Sequence, residues 1–284
     1  MEQGALSIAQ DRSHSLIMDR HVVLTLGRSG SNTLRDMLNQ SPGILNFGEV
    51  LGEWNTIRKF QRKAFFLPRT DEAYLDWILY SLAFLRSVNT LRSLNKTLTG
   101  RRTAAKRLRD IRTFGVKDFS LNFQRYGLSG YLDARPDIKV IGLIRENVVD
   151  RMISNAMLGA TGVVAARGGA DGKTRTLRID PTRIAGLLTD IETENADLDA
   201  MLSRLPDNRK YIVRYDELFS DPESRQRIME GAFAFLGVPP VATQERMTKI
   251  IRAPANDVIE NFDECLDAVR GTPHEALLRD AARI

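Results

Sequence analysis

The chain has 284 residues, 43% hydrophobic and 27% charged, and 41 Lys plus Arg against 36 Asp plus Glu give it a net charge of +5. These values exclude a disordered, collagen-like or disulfide-stapled chain, and at this length a single domain can bury roughly three quarters of its unfolded surface without a metal or cross-link. One cysteine (Cys265), three scattered histidines (His14, His21, His274), no apolar run of membrane-spanning length and a charge-mixed N-terminus together predict a reducing compartment, the cytoplasm, and no metal site.

In chain order, His21 to Leu26 (HVVLTL) is a short β-branched run that ends in GRSGSN, and Leu34, Met37 and Leu38 follow at helical spacing, which predicts strand, tight loop and helix. Ser41, Pro42 and Gly43 stop that helix, and Ile44 to Phe47 reads as a second short strand. Apolar residues from Tyr74 to Leu91 recur at near-helical period and predict one or two helices, with Trp77 and Phe84 as core. Thr113 to Lys117 is a third strand and Ile138 to Ile144 (IKVIGLI) a fourth, apolar enough to be covered on both faces. Asn147 caps the next helix, whose apolar stripe runs through Val148, Val149, Met152, Ile153, Ala156 and Met157. Residues 159–178, rich in glycine and basic side chains, read as a mobile loop or lid. A long helix from about Arg183 to Arg204, a strand from Lys210 to Arg214, and a helix running to Gly237 behind a capping box at Ser220 to Glu223 complete the pattern.

This alternation predicts an α/β, P-loop-like three-layer fold with a mainly parallel central sheet and helices on both faces, ligands lying beyond the carboxyl ends of the strands. Residues 1–284 read as one domain, with a basic helical insertion over about 57–112. Between Arg86 and Arg112 nine basic residues face one acid, Asp110, so most of the positive charge is local, and an acceptor-side role toward an anionic glycan, glycolipid or membrane surface is expected there.

The loop Gly27, Arg28, Ser29, Gly30, Ser31, Asn32, Thr33 places hydroxyl and amide donors beside N–H groups at a helix start, which suits an anion. It lacks the lysine after the second glycine that nucleoside triphosphatases use, and it lacks the third glycine of the dinucleotide fingerprint. Arg28 is its one fixed cation.

A strand followed by RSGS, Thr33 and a helix resembles the phosphosulfate loop of sulfotransferases that use 3′-phosphoadenosine 5′-phosphosulfate (PAPS). IGLIRENVVDRMISNAM resembles the same family's 3′-phosphate motif, with Arg145 at the strand end and Ser154 nine residues later. Cytosolic phenol and steroid sulfotransferases place that serine eight residues on, where Ile153 stands, so the spacing is more similar to the bacterial carbohydrate and nodulation-factor branch. RYDELFSDPESRQRIMEGAFAFLGV and DVIENFDECLDAVRGTPHEALL resemble later parts of the family.

The resemblance implies sulfuryl transfer from PAPS to a carbohydrate or glycolipid hydroxyl without a metal. Residues 29 to 33 then hold the 5′-phosphate, Arg28 faces the departing oxygen or the sulfuryl group, and Arg145 and Ser154 hold the 3′-phosphate. Arg252, in RAPANDV, resembles a late basic residue that touches the nucleotide. For the general base it implies Glu49 in NFGEVLG, with Glu53, four residues on and placed on the same helix face, and Asp118 as alternatives. Lys117 either steadies the sulfuryl oxygens or pairs with Asp118. The residues alone leave two other readings open: a nucleotide kinase or triphosphatase with an unusual loop, and a non-catalytic polyanion-binding protein.

Overall fold

In the computed structural model, which describes residues 18–64, 67–99, 106–161, 176–246 and 253–282, the apolar runs pair into one five-stranded sheet of order β2-β3-β1-β4-β5, parallel throughout. The strands are β1 (Asp19–Thr25), β2 (Ile44–Asn46), β3 (Thr113–Phe119), β4 (Ile138–Ile144) and β5 (Lys210–Arg214). Strand β1 is central, with Thr25 paired to both Phe119 and Leu143, so the ends of β1, β3 and β4 form one rim.

Side-chain alternation divides the core between the two faces. Val22, Leu24, Val116 and Val140 join one buried cluster, and Val23, Ile141, Leu143 and Val213 join another. Helices α1 (Ser31–Leu38) and α9 (Pro222–Phe235) cover the second face with Leu34, Met37, Met229 and Phe233. The first face is covered by α3 (Asp71–Tyr80) and α4 (Leu82–Thr99), through Tyr74, Ile78, Phe84 and Val88, and by the end of α7 (Ile184–Ser203), through Leu198 and Leu202. The helices between β2 and β3, α2 (Thr56–Lys63) included, are therefore continuous with the sheet's own core. A third cluster joins α6 (Val148–Thr161) and the start of α7 to α10 (Ala255–Val258), α11 (Phe262–Ala268) and α12 (Pro273–Ala281).

The three-layer parallel fold matches the expectation, and β4 and β5 have the expected bounds. Asn147 caps α6, its side chain accepting from the Asp150 N–H at 2.9 Å. Strand β1 starts two residues earlier and ends one earlier than expected, β2 ends one earlier, and three further points differ. The cap of α9 is Asp221, which accepts from the Ser224 N–H at 2.8 Å with Pro222 in the first turn, because the shorter carboxylate sits next to a residue that has no N–H to lose. Strand β3 runs to Phe119 and passes directly into α5 (Ser120–Arg125), as β5 passes into α8 (Tyr215–Leu218); neither short helix has enough periodic residues to show in the sequence.

The third difference concerns the basic stretch. Lys106 donates through Nζ to the carbonyls of Ser41 and Ile44, and the Arg112 N–H donates to Gly43 at 2.8 Å, so this part enters at the amino end of the sheet. Lys106 Nζ thus lies away from the rim where an acceptor is expected and fastens the β2 start, whereas Arg112 is tied in through its main chain alone and is exposed. Arg101 and Arg102 lie outside the described residues, as do residues 162–175 of the glycine-rich loop. On the two sides of that loop α6 continues to Thr161 and Leu177 bridges to Ile259.

Candidate active site

The turn between β1 and α1 takes two residues into the left-handed region, Gly30 (φ 76°) and Arg28 (φ 61°), the latter the sole non-glycine with positive φ among the described residues. Such a conformation costs an ordinary residue about 1–2 kcal/mol and is retained where its surroundings impose it. Gly30 is needed for space as well: a Cβ there would stand 2.7 Å from a Phe219 ring carbon and 2.9 Å from one of Tyr215. Gly30 caps α1 without a side chain, and the first turn of α1 holds no acid, so the positive end of the helix carries no internal countercharge.

The expected donors of this loop divide. The Ser29 hydroxyl donates back to Leu26 O at 2.7 Å and lies 2.6 Å from Thr25 Oγ1, and the Thr33 N–H is bonded to Gly30 O at 2.9 Å. Those two groups shape the turn. Ser31 and Asn32 begin the helix beside Gly27 and Arg28.

Arg28, Arg145 and Ser154 come together at the ends of β1 and β4. Arg28 Nε donates to Ser154 Oγ at 2.8 Å, and Arg145 Nη1 donates to the Arg28 carbonyl at 2.9 Å. Arg145 is 6% exposed, pairs with Asp150 at 2.8 Å and lies over the Tyr215 ring, 4.3 Å from its centroid. Burial, and then the neighbouring Arg145 guanidinium, pull Arg28 below the usual arginine range, while burial pushes the Tyr215 hydroxyl up. Two adjacent cations in a half-buried crevice suit an anion of more than one charge.

Sequence reasoning missed the support behind this cluster. Arg151, 1% exposed, donates through Nε to the Gly27 carbonyl at 3.0 Å and pairs with Glu194 of α7. Asn195 accepts from Arg151 at 3.2 Å and donates to the Arg145 carbonyl at 3.3 Å. A signal existed: Arg151 is three residues before Ser154, one helical turn away.

On the β3 side, the Lys117 N–H donates to Gly48 O at 3.2 Å, which brings Glu49 to the strand end. Lys117, 1% exposed, pairs through Nζ with Glu49 Oε1 and lies 4.5 Å from the Phe119 ring centroid. The expected pairing with Asp118 does not form. Strand alternation sends Asp118 to the opposite face, where its two oxygens accept from the N–H groups of Val50, Leu51 and Phe119, each at 2.8 Å, and from Asn122 Nδ2 at 2.6 Å. Burial pushes its carboxyl up against those four donors. Asp118 therefore holds the Glu49 loop in shape and is not placed to take a proton from an acceptor. Burial also pulls Lys117 below the usual lysine range, with Glu49 opposing, and Arg35 of α1, lying against Gly48, adds to the lowering.

Glu49 precedes a turn and not a helix, so the shared face with Glu53 does not exist; Glu53 is exposed and paired with Arg62 at 3.3 Å. Glu49 Oε2 instead accepts from the indole N–H of Trp54 at 2.9 Å. His21, buried at the amino half of β1, bonds Thr113 at 2.8 Å and Asn46 at 3.1 Å, remote from this rim. Arg252 lies outside the described residues. Among the described residues no group of three or more His, Cys, Asp or Glu side chains is placed to hold a metal ion.

A parallel α/β sheet with an anion-suited turn after its first strand, a second arginine at the end of the neighbouring strand and a carboxylate on the same rim places the chain among α/β proteins whose ligands lie beyond the carboxyl ends of the strands. The family described as "Sulfotransferase family" matches residues 22–242, a span that contains every one of these features, and the chain belongs to the sulfotransferase family. No curated protein matches the chain. Among solved structures, the sulfotransferase from Alicyclobacillus acidocaldarius is 16% identical over 92% of this chain and 94% of its own, with a TM-score of 0.47. The sulfotransferase domain of the Synechococcus PCC 7002 olefin synthase is 17% identical over 94% and 88%, TM-score 0.39, and that of the curacin biosynthetic pathway 17% over 93% and 89%, TM-score 0.42.

Proposed function

We propose that the enzyme moves the sulfuryl group of PAPS in line to a hydroxyl of a carbohydrate or glycolipid acceptor, the chemistry of the bacterial carbohydrate and nodulation-factor branch that its Arg145 to Ser154 spacing resembles. The residues present fit this donor: Nε of Arg145 is buried and has no hydrogen-bond partner within the described protein, and the cap of α1 is bare. Bound there, PAPS supplies an activated sulfuryl group on its 5′-phosphate. Arg145 and Ser154 hold the 3′-phosphate, and the turn from Gly27 through Thr33 with the start of α1 holds the 5′-phosphate. Arg28 faces the bridging oxygen, and Arg252 is a further nucleotide contact.

Glu49 takes the acceptor proton as the acceptor oxygen bonds to sulfur and the bond from sulfur to the 5′-phosphate oxygen breaks, leaving 3′,5′-diphosphoadenosine (PAP). Once protonated, Glu49 no longer neutralises Lys117. That ammonium then turns its charge to the sulfuryl oxygens at the moment negative charge grows on the leaving group.

The observation that carries this reading is the meeting of Arg28, Arg145 and Ser154 from three separate segments. Thermal melting with PAP, in the absence of magnesium, tests it: a rise in Tm abolished by Arg145→Ala or Arg28→Ala is expected, and no rise at millimolar PAP refutes it. A magnesium-dependent rise with ATP that ignores the 3′-phosphate favours a kinase instead. The acceptor reading is tested with labelled donor and a panel of bacterial glycans, products read by mass. Among the described residues no helix is long and apolar enough to cross a membrane. The cytoplasmic location follows the expectation from the single cysteine. Of the basic residues over 86–112, Lys106 takes no part in an acceptor or membrane contact in this proposal, because its ammonium is held by the Ser41 and Ile44 carbonyls.

A further inference from the structure

We propose that Trp54 has two functions in this site: its indole N–H fixes the orientation of Glu49, and its open face is the platform on which the saturated ring of a sugar acceptor lies. The inference rests on Glu49 being the base.

The seat of this indole is built by its neighbours. Gly52 lies directly under it, so that a Cβ there would stand 2.4 Å from two of its ring carbons, and the Phe119 ring lies 6.3 Å away at a 44° tilt. Its N–H is committed to Glu49 Oε2 at 2.9 Å, while Glu49 Oε1 meets Lys117. The carboxylate is thus held through both oxygens, and each oxygen keeps a second lone pair for an incoming hydroxyl. Despite being seated on three sides, Trp54 remains 55% exposed. An indole so placed has its polar edge tied to the carboxylate and much of its apolar surface open, the arrangement that suits a ligand with both characters.

Proximity decides what that ligand is. The indole N–H donates in the ring plane, so Glu49 Oε2, 2.9 Å from Nε1, lies at the edge of the ring, and a ligand whose hydroxyl meets this carboxylate can extend beside the indole. The surroundings are polar, with Glu53, Arg62 and Asn55 adjoining. Those polar side chains offer an acyl chain little to cover. A pyranose ring matches the indole: its axial C–H face covers one aromatic ring while its hydroxyls meet the base and the polar rim.

Two measurements test this on the full chain. In a Trp77→Phe background, Trp54 is the remaining tryptophan. Its emission is expected to change when Glu49→Ala removes the acceptor of the indole N–H; emission identical to that of the parent refutes the orienting role. Calorimetry with chitotetraose, maltotetraose and 1-octanol on PAP-saturated protein then reads the platform. At least one saccharide is expected to bind, with affinity lowered at least about tenfold by Trp54→Leu and by no more than about threefold by Trp54→Phe, which keeps an aromatic face. Failure of both saccharides to bind, equal saccharide affinity in Trp54→Leu, or preference for octanol refutes the platform. PAP binding, measured first on the same samples, separates these results from failure of the donor site: normal PAP affinity with no effect at Trp54 removes this inference alone.

Discussion

Arg28 Nε donates to Ser154 Oγ at 2.8 Å, joining the turn after β1 to the middle of α6 across 126 residues of chain. A serine hydroxyl that accepts from one guanidinium still has its own hydrogen to give. In the proposed donor complex Ser154 can therefore serve the 3′-phosphate directly while it steadies Arg28. Ser154→Ala is expected to weaken PAP binding about tenfold, roughly 1.4 kcal/mol, in calorimetry. Unchanged affinity would remove Ser154 from the donor site.

Arg151 acts behind the phosphate turn, with its charge neutralised by Glu194 and one donor on the Gly27 carbonyl. Removing one partner of a buried pair costs about 3–5 kcal/mol, whereas replacing both by apolar groups costs far less. Arg151→Met is expected to lower stability to urea steeply, and Arg151→Met with Glu194→Met to recover most of it. PAP affinity should stay reduced in the double variant, since the turn remains untethered. Recovery of both together would mean that Arg151 serves stability only.

Asp118 accepts four hydrogen bonds, two of them from the Val50 and Leu51 backbone just after Glu49. Asp118→Ala leaves buried donors without partners and is expected to cost about 2–4 kcal/mol in urea unfolding. Its effect on turnover should exceed its effect on PAP affinity, because the groups released carry Glu49 and not the nucleotide.

Glu49→Gln is expected to keep PAP affinity within about twofold and to lower turnover by roughly 10²–10⁴, the span of general base catalysis. Glu53→Gln should alter neither quantity, since that side chain is exposed and turned toward Arg62. The reverse pattern in steady-state kinetics would transfer the role to Glu53.

His21 is fully buried beside Thr113 and Asn46, and burial pulls its pKa down to about 3 from 6.5. The folded protein keeps it neutral while the unfolded chain takes up a proton. Its contribution is complete above pH 6.5 and is lost progressively toward pH 3, at up to about 1.4 kcal/mol per pH unit. Urea midpoints between pH 7 and 4 should show this slope, and a His21→Gln variant should show a shallower one.

The strands were legible because each is a short β-branched or wholly apolar run closed by turn residues, and IKVIGLI shows the same bounds in both sequence and structure. The first arginine of the site was legible for a related reason: a cation directly after a strand, in a turn too short to hide it. What escaped were relations set by facing and by packing. Nothing local tells that Lys117 turns to Glu49 while Asp118 turns away, although the two are neighbours; that follows from strand alternation once the strand is known to extend to Phe119. Trp54 and Arg151 escaped because their partners stand on other elements or beyond a glycine whose need is purely spatial. Lys106 was misplaced because a run of like charges reads as one surface, whereas here one ammonium is bound by main-chain carbonyls.

The third apolar cluster has a further effect. Cys265, Val269 and Leu278 pack with Val149, Met152 and Ile153, the inner side of the helix that carries Ser154 and Arg151. Those C-terminal residues fall after position 242, where the family match stops, so in the proposed donor complex the helix that carries Ser154 leans on a buttress outside the matched span. Trimming the chain back to the matched segment should spare the sheet, whose two faces are filled by other side chains, and loosen the nucleotide half of the crevice first.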